Sequence, residues 1–408
     1  MGRVALIYPA ARRAELDWLR VLALGLLMIF HSMVGYSSWP WHVNDPHDSA
    51  LLNGALDFML RWRVSLVFIV SGAALMLALD RRSPRAILRE RSSRLLVPLI
   101  FGMIVIIPPQ TYLQRVQHGE FHGTFLDYLP HAFTGIYPEG NITWNHLWFI
   151  PYVLVLTAVA MPLFLWARSP SMKPRLERYT RLVCDGRLYW ILVLPLTLGQ
   201  AMLLWQGSED HTFVGDGHGW LEFSSFFVLG GAVAKWPDVL VSIQRERYVS
   251  LVVGIVAYGA LRQEWPTDPT SAVGTIGWSI VAAINVLAWA LTFTGFLTKW
   301  FSHRSPVLAY LTEATMPVYV LHQTLIIFVV YHMRSVHLPI PAKIVMTFSF
   351  AVLASLALYE IAIRRSKWMR ILFGVKPRAE AIGPELLVPN VGGTDTDSVT
   401  NRLPGRSS

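Results

Sequence analysis

The sequence consists largely of apolar runs, each long enough to cross a bilayer as a helix. About 20 residues at about 1.5 Å per residue match the hydrocarbon core, where a helix satisfies its own backbone hydrogen bonds. Such runs lie at about 17–36, 56–79, 95–113, 147–167, 188–206, 220–235, 248–262, 273–298, 307–331 and 341–363. The pattern predicts an all-α integral membrane protein, a bundle of about ten transmembrane helices.

The composition agrees with a membrane protein and argues against other classes. Of 408 residues, 53% are hydrophobic and 15% charged, with a mean hydropathy of +0.43, which leaves too little polar surface for a soluble domain. The net charge of +9 comes from short loops rather than a basic domain, so no nucleic-acid partner is predicted. The single Cys184 excludes an intramolecular disulfide, and without ligand spacing among the histidines no metal site is predicted.

Basic residues alternate between loops, as the positive-inside rule expects. Lys and Arg collect before the first run and after the second, fourth, sixth, eighth and tenth, whereas loops 37–55 and 206–219 contain none. Both termini are therefore predicted to be cytoplasmic, with most histidines on the outer side. The short basic N-terminus lacks a small-residue cleavage site, so the first run is predicted to be a retained span.

The chain changes character after Lys376, where the apolar periodicity ends and Pro, Gly, Thr, Asp and Ser dominate. A segment of this composition buries too little apolar surface to fold alone. Residues 1–376 are therefore predicted to be the transmembrane domain, and residues 377–408 a disordered cytoplasmic tail.

The first run holds two ionisable groups, Arg20 and His31, which are 11 positions apart. At about 100° per residue they return to within roughly 20° of one face, about 16 Å apart along the axis. Ionisable groups inside a span are costly and mark functional sites by default. A neutral imidazole can take a proton from a hydroxyl, so His31 is a candidate general base, with helix packing as the alternative. Arg20 is a candidate for a donor phosphate or an interfacial anchor.

The second run and the loop after it supply further candidates. Ser71 and Gly72 offer a hydroxyl and a close backbone approach for a donor, although helix packing is the commoner use of such residues. Arg91 and Arg94 belong to a basic cluster that serves as a topology anchor and is also suited to hold donor phosphates. Arg63, near the outer end of this run, is a candidate for stabilising oxyanion charge or for binding a carboxylate, with a position at the membrane interface as the alternative.

Aromatic residues and imidazoles recur near the predicted outer surface. Trp41-His42 follows the first run, and His146 and Trp148 open the fourth. Such rings stack on sugars and bond their hydroxyls, although interfacial anchoring is the commoner role of tryptophan. His322, in the ninth run beyond Pro317, is predicted to bond an acceptor or to orient His31.

Segments from the first helix to the last carry a family resemblance that covers about residues 12–378. They are Leu16-Asp17-Trp18-Leu19-Arg20 with Phe30-His31, Trp41-His42-Val43-Asn44, Asp57-Phe58 through Arg63 to Ser71-Gly72, Glu90-Arg91 with Arg94 and Pro98, His146-Leu147-Trp148-Phe149, Tyr319-Val320-Leu321-His322, and Leu358-Tyr359-Glu360-Ile361 with Phe373-Gly374. In them the sequence resembles the membrane-bound acyltransferase family 3, and looks closest to its glucans biosynthesis protein C branch, which succinylates periplasmic glucans. One departure is His322-Gln323, where the branch has consecutive histidines.

The resemblance implies about ten helices, an acyl-coenzyme A donor from the cytoplasm and a sugar acceptor on the outer side. It favours His31 and Arg20 as catalytic residues. We therefore predict an O-acyltransferase of the bacterial inner membrane that moves a succinyl or acetyl group to a periplasmic or lipid-linked glycan, without a permanently bound cofactor. The alternatives are a proton-coupled transporter or flippase, in which His31, Glu313 and His322 relay protons, and a non-catalytic scaffold for glycan export.

Overall fold

The computed structural model of the protein describes residues 13–186, 188–206, 213–263 and 271–376, which form helices and loops without a β-strand. The tail predicted at 377–408 lies outside the described residues. The helices are α1 Ala14–Val34, α2 Ala50–Leu60, α3 Arg63–Leu79, α4 Pro84–Phe101, α5 Pro108–Gln117, α6 Phe125–Tyr128, α7 Phe149–Ala167, α8 Lys173–Gly186, α9 Val193–Gln206, α10 Gly217–Lys235, α11 Pro237–Arg245, α12 Arg247–Arg262, α13 Ala272–Trp300, α14 Pro306–Met333, α15 Ile340–Leu358 and α16 Lys367–Leu372.

Each of the ten apolar runs folds as helix, but not all of these helices are long enough to span. Among the described residues, seven are long and apolar enough to cross a membrane, or eight if α10 and α11 form one span bent by 109°. The bend falls at Trp236, whose extended backbone precedes Pro237. The structure therefore confirms a helical, multi-pass membrane protein and does not confirm the predicted count of ten.

A break between α4 and α5 contributes to the candidate site described below. The amide of Ile107 donates to the carbonyl of Gly102 at 2.8 Å, which makes one wide π-helical turn. Pro108 and Pro109 follow and lack amide donors, so the regular helical ladder cannot continue through them. The carbonyl of Ile106 accepts from the Thr324 hydroxyl at 2.8 Å instead, which ties this break to α14.

The tightest helix crossing in the core joins α3 and α10 through glycines. A Cβ at Gly72 would lie 1.8 Å from the Phe227 carbonyl oxygen, and one at Gly230 would lie 1.9 Å from that of Ile69. Small residues let two backbones approach closely in a membrane, where close packing drives helix association. The crossing therefore depends on the absence of side chains at Gly72 and Gly230.

Contacts at and near the loops divide the bundle into two ends, in agreement with the alternation of basic residues. The basic end holds the loops rich in Lys and Arg, and the histidine end holds the loops that contain most of the histidines. At the basic end, Arg168 pairs with Asp80 at 2.9 Å and Arg13 donates to the Val233 carbonyl at 2.9 Å. At the histidine end, His42 donates to Gln114 at 2.7 Å. Residues in or beside the loops that were predicted to share a side are therefore in contact, while the orientation of the two ends across a membrane stays a prediction.

Candidate active site

Two histidines from distant helices meet at the histidine end of the bundle. Nδ1 of His31 on α1 lies 2.9 Å from Nε2 of His322 on α14, although 291 positions separate them in the sequence. The rings are stacked, with centroids 5.2 Å apart and planes inclined by 12°. His322 is fully buried, whereas His31 is partly exposed. The structure thus brings together two residues that the sequence analysis had proposed for one site.

Hydrogen-bond partners assign the tautomer of each neutral ring. Nδ1 of His322 lies 2.7 Å from the backbone carbonyl oxygen of Tyr319. A carbonyl only accepts, so Nδ1 of His322 donates and its Nε2 carries the lone pair. Nδ1 of His31 therefore donates to His322, and Nε2 of His31 is unprotonated. Within the described residues, no group hydrogen-bonds that nitrogen, which leaves it available to accept a proton from a substrate.

A third imidazole, His146, supports this pair from the short helical turn before α7. Its Nε2 donates to the Val320 carbonyl at 3.0 Å, and its ring lies edge-on to that of His322 with centroids 5.2 Å apart. The Tyr319 hydroxyl donates to the backbone carbonyl of His146 at 2.6 Å. His146 thus makes hydrogen bonds to α14. This arrangement fits a role in orienting His31 better than a role in binding the acceptor, the two roles predicted for it.

The remaining rings around His31 are those of Phe30 and Trp41. The Trp41 ring is stacked on His31 with centroids 6.0 Å apart and planes inclined by 22°. The guanidinium of Arg63, at the first residue of α3, lies 3.5 Å from the centre of the Phe30 ring. Arg63 is buried and near enough to His31 for its positive charge to act on that ring. A cation and an aromatic ring therefore flank the unprotonated imidazole.

His42 is held in the loop between α1 and α2 by a glutamine of α5. Its Nδ1 donates to Oε1 of Gln114 at 2.7 Å, and Gln114 in turn donates to the Tyr137 hydroxyl at 3.1 Å. Burial lowers the pKa of His42 below its ordinary value, because desolvation penalises the charged ring. His42 is therefore a neutral polar group beside Trp41, with ring centroids 5.5 Å apart.

Buried amides connect α14 to the break before α5. Gln110 donates to the Thr324 hydroxyl at 2.6 Å and accepts from Asn145 at 2.8 Å and from Gln323 at 3.3 Å. Gln323 also donates to Oδ1 of Asn145 at 2.9 Å. Gln323, the residue after His322, thus connects α14 to α5 and to the short helical turn before α7 through neutral hydrogen bonds.

The predicted donor-binding arginines lie toward the basic end, on α1 and α4. Arg91 donates to the Thr157 hydroxyl at 2.8 Å and to the Ser71 carbonyl at 3.4 Å. Arg20 and Arg94 lie near enough to Arg91 for their positive charges to repel it. Three guanidiniums share one region, and such a concentration of positive charge suits a phosphate-bearing ligand.

Two other predicted site residues are engaged in packing. Gly72 faces the Phe227 backbone in the α3–α10 crossing, which is the commoner use anticipated for it, and donor contact by Gly72 stays a prediction. Trp148 is stacked on Phe223, with centroids 5.6 Å apart, and lies edge-on to Tyr152 at 5.7 Å. Trp148 therefore belongs to the aromatic core around α10, and the rings that contact His31 do not include it.

Several residues of the site were not singled out by the sequence analysis as site residues. They are Phe30, Gln110, Gln114, Asn145, Tyr319 and Gln323. One signal was available for two of the glutamines, since Gln110 and Gln114 are polar amides one helical turn apart, just after the apolar stretch that ends at Pro108-Pro109. Polar side chains in membrane helices commonly hydrogen-bond across helices. Tyr319 was part of a segment that carries the family resemblance, but its contribution to the His322 tautomer comes from the backbone carbonyl, which has no side-chain signal.

Taken together, the fold and the site define a multi-pass membrane protein with a paired-histidine site at one end and a cluster of arginines toward the other. The chain matches the acyltransferase domain family called acyltransferase 3 over residues 13–360, and it belongs to that family. The protein is therefore an acyltransferase enzyme, which decides against the transporter and scaffold alternatives as its class.

Several relatives align with nearly the whole chain. The glucans biosynthesis protein C of Salmonella paratyphi B and that of Salmonella enteritidis are each 23% identical over 396 residues, which cover 90% of this chain and 96% of the relative. The protein of the same name from Salmonella paratyphi A is 23% identical over 395 residues, with the same coverage. The similarity thus extends over both the histidine end and the basic end.

Proposed function

We propose that the protein is an O-acyltransferase of the bacterial inner membrane that moves an acyl group from cytoplasmic acyl-coenzyme A to a sugar hydroxyl of a periplasmic or lipid-linked glycan, with His31 as the general base. The observation that carries the proposal is the chain of hydrogen bonds from His31 through His322 to the Tyr319 carbonyl. This chain orients the imidazole and leaves Nε2 of His31 with its lone pair. A base fixed in the reactive tautomer is what general-base catalysis requires.

The reaction follows from this geometry without an enzyme nucleophile. The acceptor hydroxyl gives its proton to Nε2 of His31 while its oxygen attacks the thioester carbon. Collapse of the tetrahedral intermediate breaks the carbon–sulfur bond, and the proton passes from His31 to the departing thiolate. The products are the acyl ester and free coenzyme A, and the histidine returns to its neutral state.

Arg63 is suited to the charge that develops on the thioester oxygen. Its buried guanidinium lies over Phe30, the residue next to the base, and a preorganised cation in a water-poor site stabilises an oxyanion strongly. With a succinyl donor, the same cation can instead bind the free carboxylate. If Arg63 stabilises the oxyanion, it acts on the rate. If it binds the carboxylate, it acts on the choice of acyl group.

The basic end is suited to the other part of the donor. Arg20, Arg91 and Arg94 are proposed to bind the phosphates of coenzyme A, with the Ser71–Gly72 segment beside them. Arg20 and His31 lie on α1, about 16 Å apart along its axis. The extended arm of the donor then runs through the bundle, so that the thioester reaches His31 while the phosphates stay near the cytoplasm.

The acceptor is proposed to approach from the outer end. Trp41 supplies an aromatic face and His42 a neutral polar group beside His31, and such groups stack on sugar rings and bond their hydroxyls. The name of the relatives, glucans biosynthesis protein C, supports a glucan as the acceptor class. A succinyl or acetyl group is equally compatible with the residues around His31.

The test compares glycans from cells that carry the intact gene, no gene, His31→Ala or His332→Ala. His332 is a matched control, since it lies on α14, is exposed and bonds the carbonyl of its own helix at Phe328 as His322 does at Tyr319. We expect mass spectrometry to find an acyl increment only with the intact gene and with His332→Ala. An increment that persists in His31→Ala cells, at equal protein level in the membrane, would contradict the proposal. Identical glycans in all strains would contradict the proposed glycan acceptor.

A further inference from the structure

A fully buried ion pair joins α15 to the loop between α1 and α2. Nζ of Lys343 lies 2.5 Å from Oδ2 of Asp45, and the two side chains are 2% and 0% exposed. The other carboxylate oxygen of Asp45 accepts from the His47 amide at 2.9 Å. Ionisable residues inside membrane proteins are expensive and mark functional sites by default, yet the mechanism above gives these two no role.

A second contact joins the same face of α15 to the loop between α1 and α2. Thr347 follows Lys343 by one turn of α15, and its hydroxyl is 2.8 Å from the Tyr36 hydroxyl. Burial raises the pKa of Tyr36 to about 12, so its phenol stays protonated and can keep this hydrogen bond. The Asp45 amide also donates to the Gly35 carbonyl at 2.8 Å. Residues 35–45, here called the α1–α2 strap, are thus closed at their base and fixed to α15.

The opposite side of the strap is fixed to α5. Gln117 donates to the carbonyl of Asn44 at 2.9 Å, and His42 donates to Gln114 at 2.7 Å. Trp41, whose ring is stacked on His31, directly precedes His42 in the strap. The strap therefore carries both aromatic and polar groups that cover the proposed base, and two different helices determine where it lies.

A charge pair in this position does more to define geometry than to add stability. Taking both charges out of water cancels much of their attraction, and neutral residues of similar volume often serve stability as well. Removing one partner is different, because the other is then left buried and uncompensated. Among the described residues, the other basic side chain that pairs with Asp45 is that of the exposed His47, whose Nδ1 is 3.6 Å away. Loss of Lys343 alone would therefore leave a buried carboxylate in the strap without its partner and favour movement of the strap toward water.

We propose that Lys343 and Asp45 are positioning residues, which fix the α1–α2 strap so that Trp41 and His42 form the acceptor site over His31. This inference rests on the proposed function for its kinetic consequence, but its structural part does not. Breaking the pair loosens the strap from α15, where the hydrogen bond between Tyr36 and Thr347 remains, and it weakens acceptor binding while the donor site toward the basic end is unaffected.

The experiment uses the full-length protein in detergent with Lys343→Met, Tyr36→Phe, and the double variant Asp45→Asn with Lys343→Gln. The double variant replaces the ion pair with a neutral amide pair, and Lys173→Met is the control. Lys173 lies on α8, is 66% exposed and is 4.0 Å from Glu177. Hydrogen–deuterium exchange of residues 36–45 is measured first. The Michaelis constants for succinyl-coenzyme A, acetyl-coenzyme A and an unmodified glucan oligosaccharide follow.

For Lys343→Met we expect exchange in the strap to rise at least about tenfold, and the glucan Michaelis constant to rise by a similar factor while that of the donor stays within about twofold. Tyr36→Phe should show a smaller change of the same kind, and the double variant should recover most of the loss. Unchanged exchange in the strap of Lys343→Met would overturn the inference, as would an altered donor constant with an unaltered glucan constant. If Lys343→Met fails to fold, Tyr36→Phe and the double variant decide. Wild-type protein without transferase activity would count against the proposed function alone, since the exchange result still decides whether the pair holds the strap.

Discussion

The guanidinium carbon of Arg63 lies 3.5 Å from the centre of the Phe30 ring, and Phe30 is the residue directly before His31. A buried cation over an aromatic face gains on the order of 2 kcal/mol when desolvated. The contact therefore places a positive charge beside the proposed base. This arrangement connects α1 to the first turn of α3.

We expect Arg63→Gln to lower kcat about 100-fold and to change the donor Michaelis constant little, because an oxyanion-stabilising group acts in the transition state. Arg334→Gln is the control, since Arg334 lies 3.7 Å from the centre of the Tyr331 ring at the end of α14. Initial rates with succinyl- and acetyl-coenzyme A would measure both effects. A large rise in the Michaelis constant for the succinyl donor alone would instead identify Arg63 as the carboxylate-binding residue.

Replacing His322 should impair catalysis through the orientation of His31. In His322→Leu, Nδ1 of His31 loses its acceptor, so we expect kcat to fall by about 100-fold to 10,000-fold, as when a general base loses its correct tautomer. His322→Gln can still accept that hydrogen bond and should retain more activity. Single-turnover rates of both variants would test this order. Equal loss in the two variants would show that His322 does more than orient its neighbour.

The glycines of the helices differ sharply in what they tolerate. A Cβ at Gly72 would lie 1.8 Å from the Phe227 carbonyl oxygen, whereas one at Gly25 in α1 meets nothing within 4 Å. We therefore expect Gly72→Ala to destabilise the protein by about 1–3 kcal/mol or more, through displacement of α10. Gly25→Ala should be neutral or stabilising by a few tenths of a kcal/mol, because alanine favours helix. Thermal unfolding of both purified variants is the measurement, and a stable Gly72→Ala would argue against the close α3–α10 crossing.

The lowered pKa of His42 predicts a pH dependence of stability. The unfolded ring has a pKa of 6.5, and burial lowers the folded value, so the unfolded state binds more protons below about pH 6.5. Stability should therefore fall as the pH drops through and below that value. His42→Asn, which can still donate to Gln114, should show a weaker fall. Unfolding temperatures between pH 5 and pH 8 would reveal the difference, and parallel curves would assign the dependence to other groups.

The sequence by itself determined the helical membrane architecture, because backbone hydrogen bonding in lipid permits little else and apolar runs are a local signal. The family resemblance was also present in it, and the match over residues 13–360 confirms the family. The helical period of α1 predicted that Arg20 and His31 lie on one face of that helix. The number of spans was less accessible, because hydropathy does not distinguish a full span from the short helix Trp190–Leu204 or from the bent pair α10 and α11.

Only the tertiary structure decided which groups face each other. A helical period identifies a face but not its neighbour, so the contact between His31 and His322 across 291 positions could be proposed but not established. The tautomer of the pair depends on a backbone carbonyl, which has no sequence signal. The burial of Asp45 against Lys343 depends on the packing of a loop between two helices. Packing and hydrogen bonding between distant segments therefore turned a set of candidate residues into an arranged site.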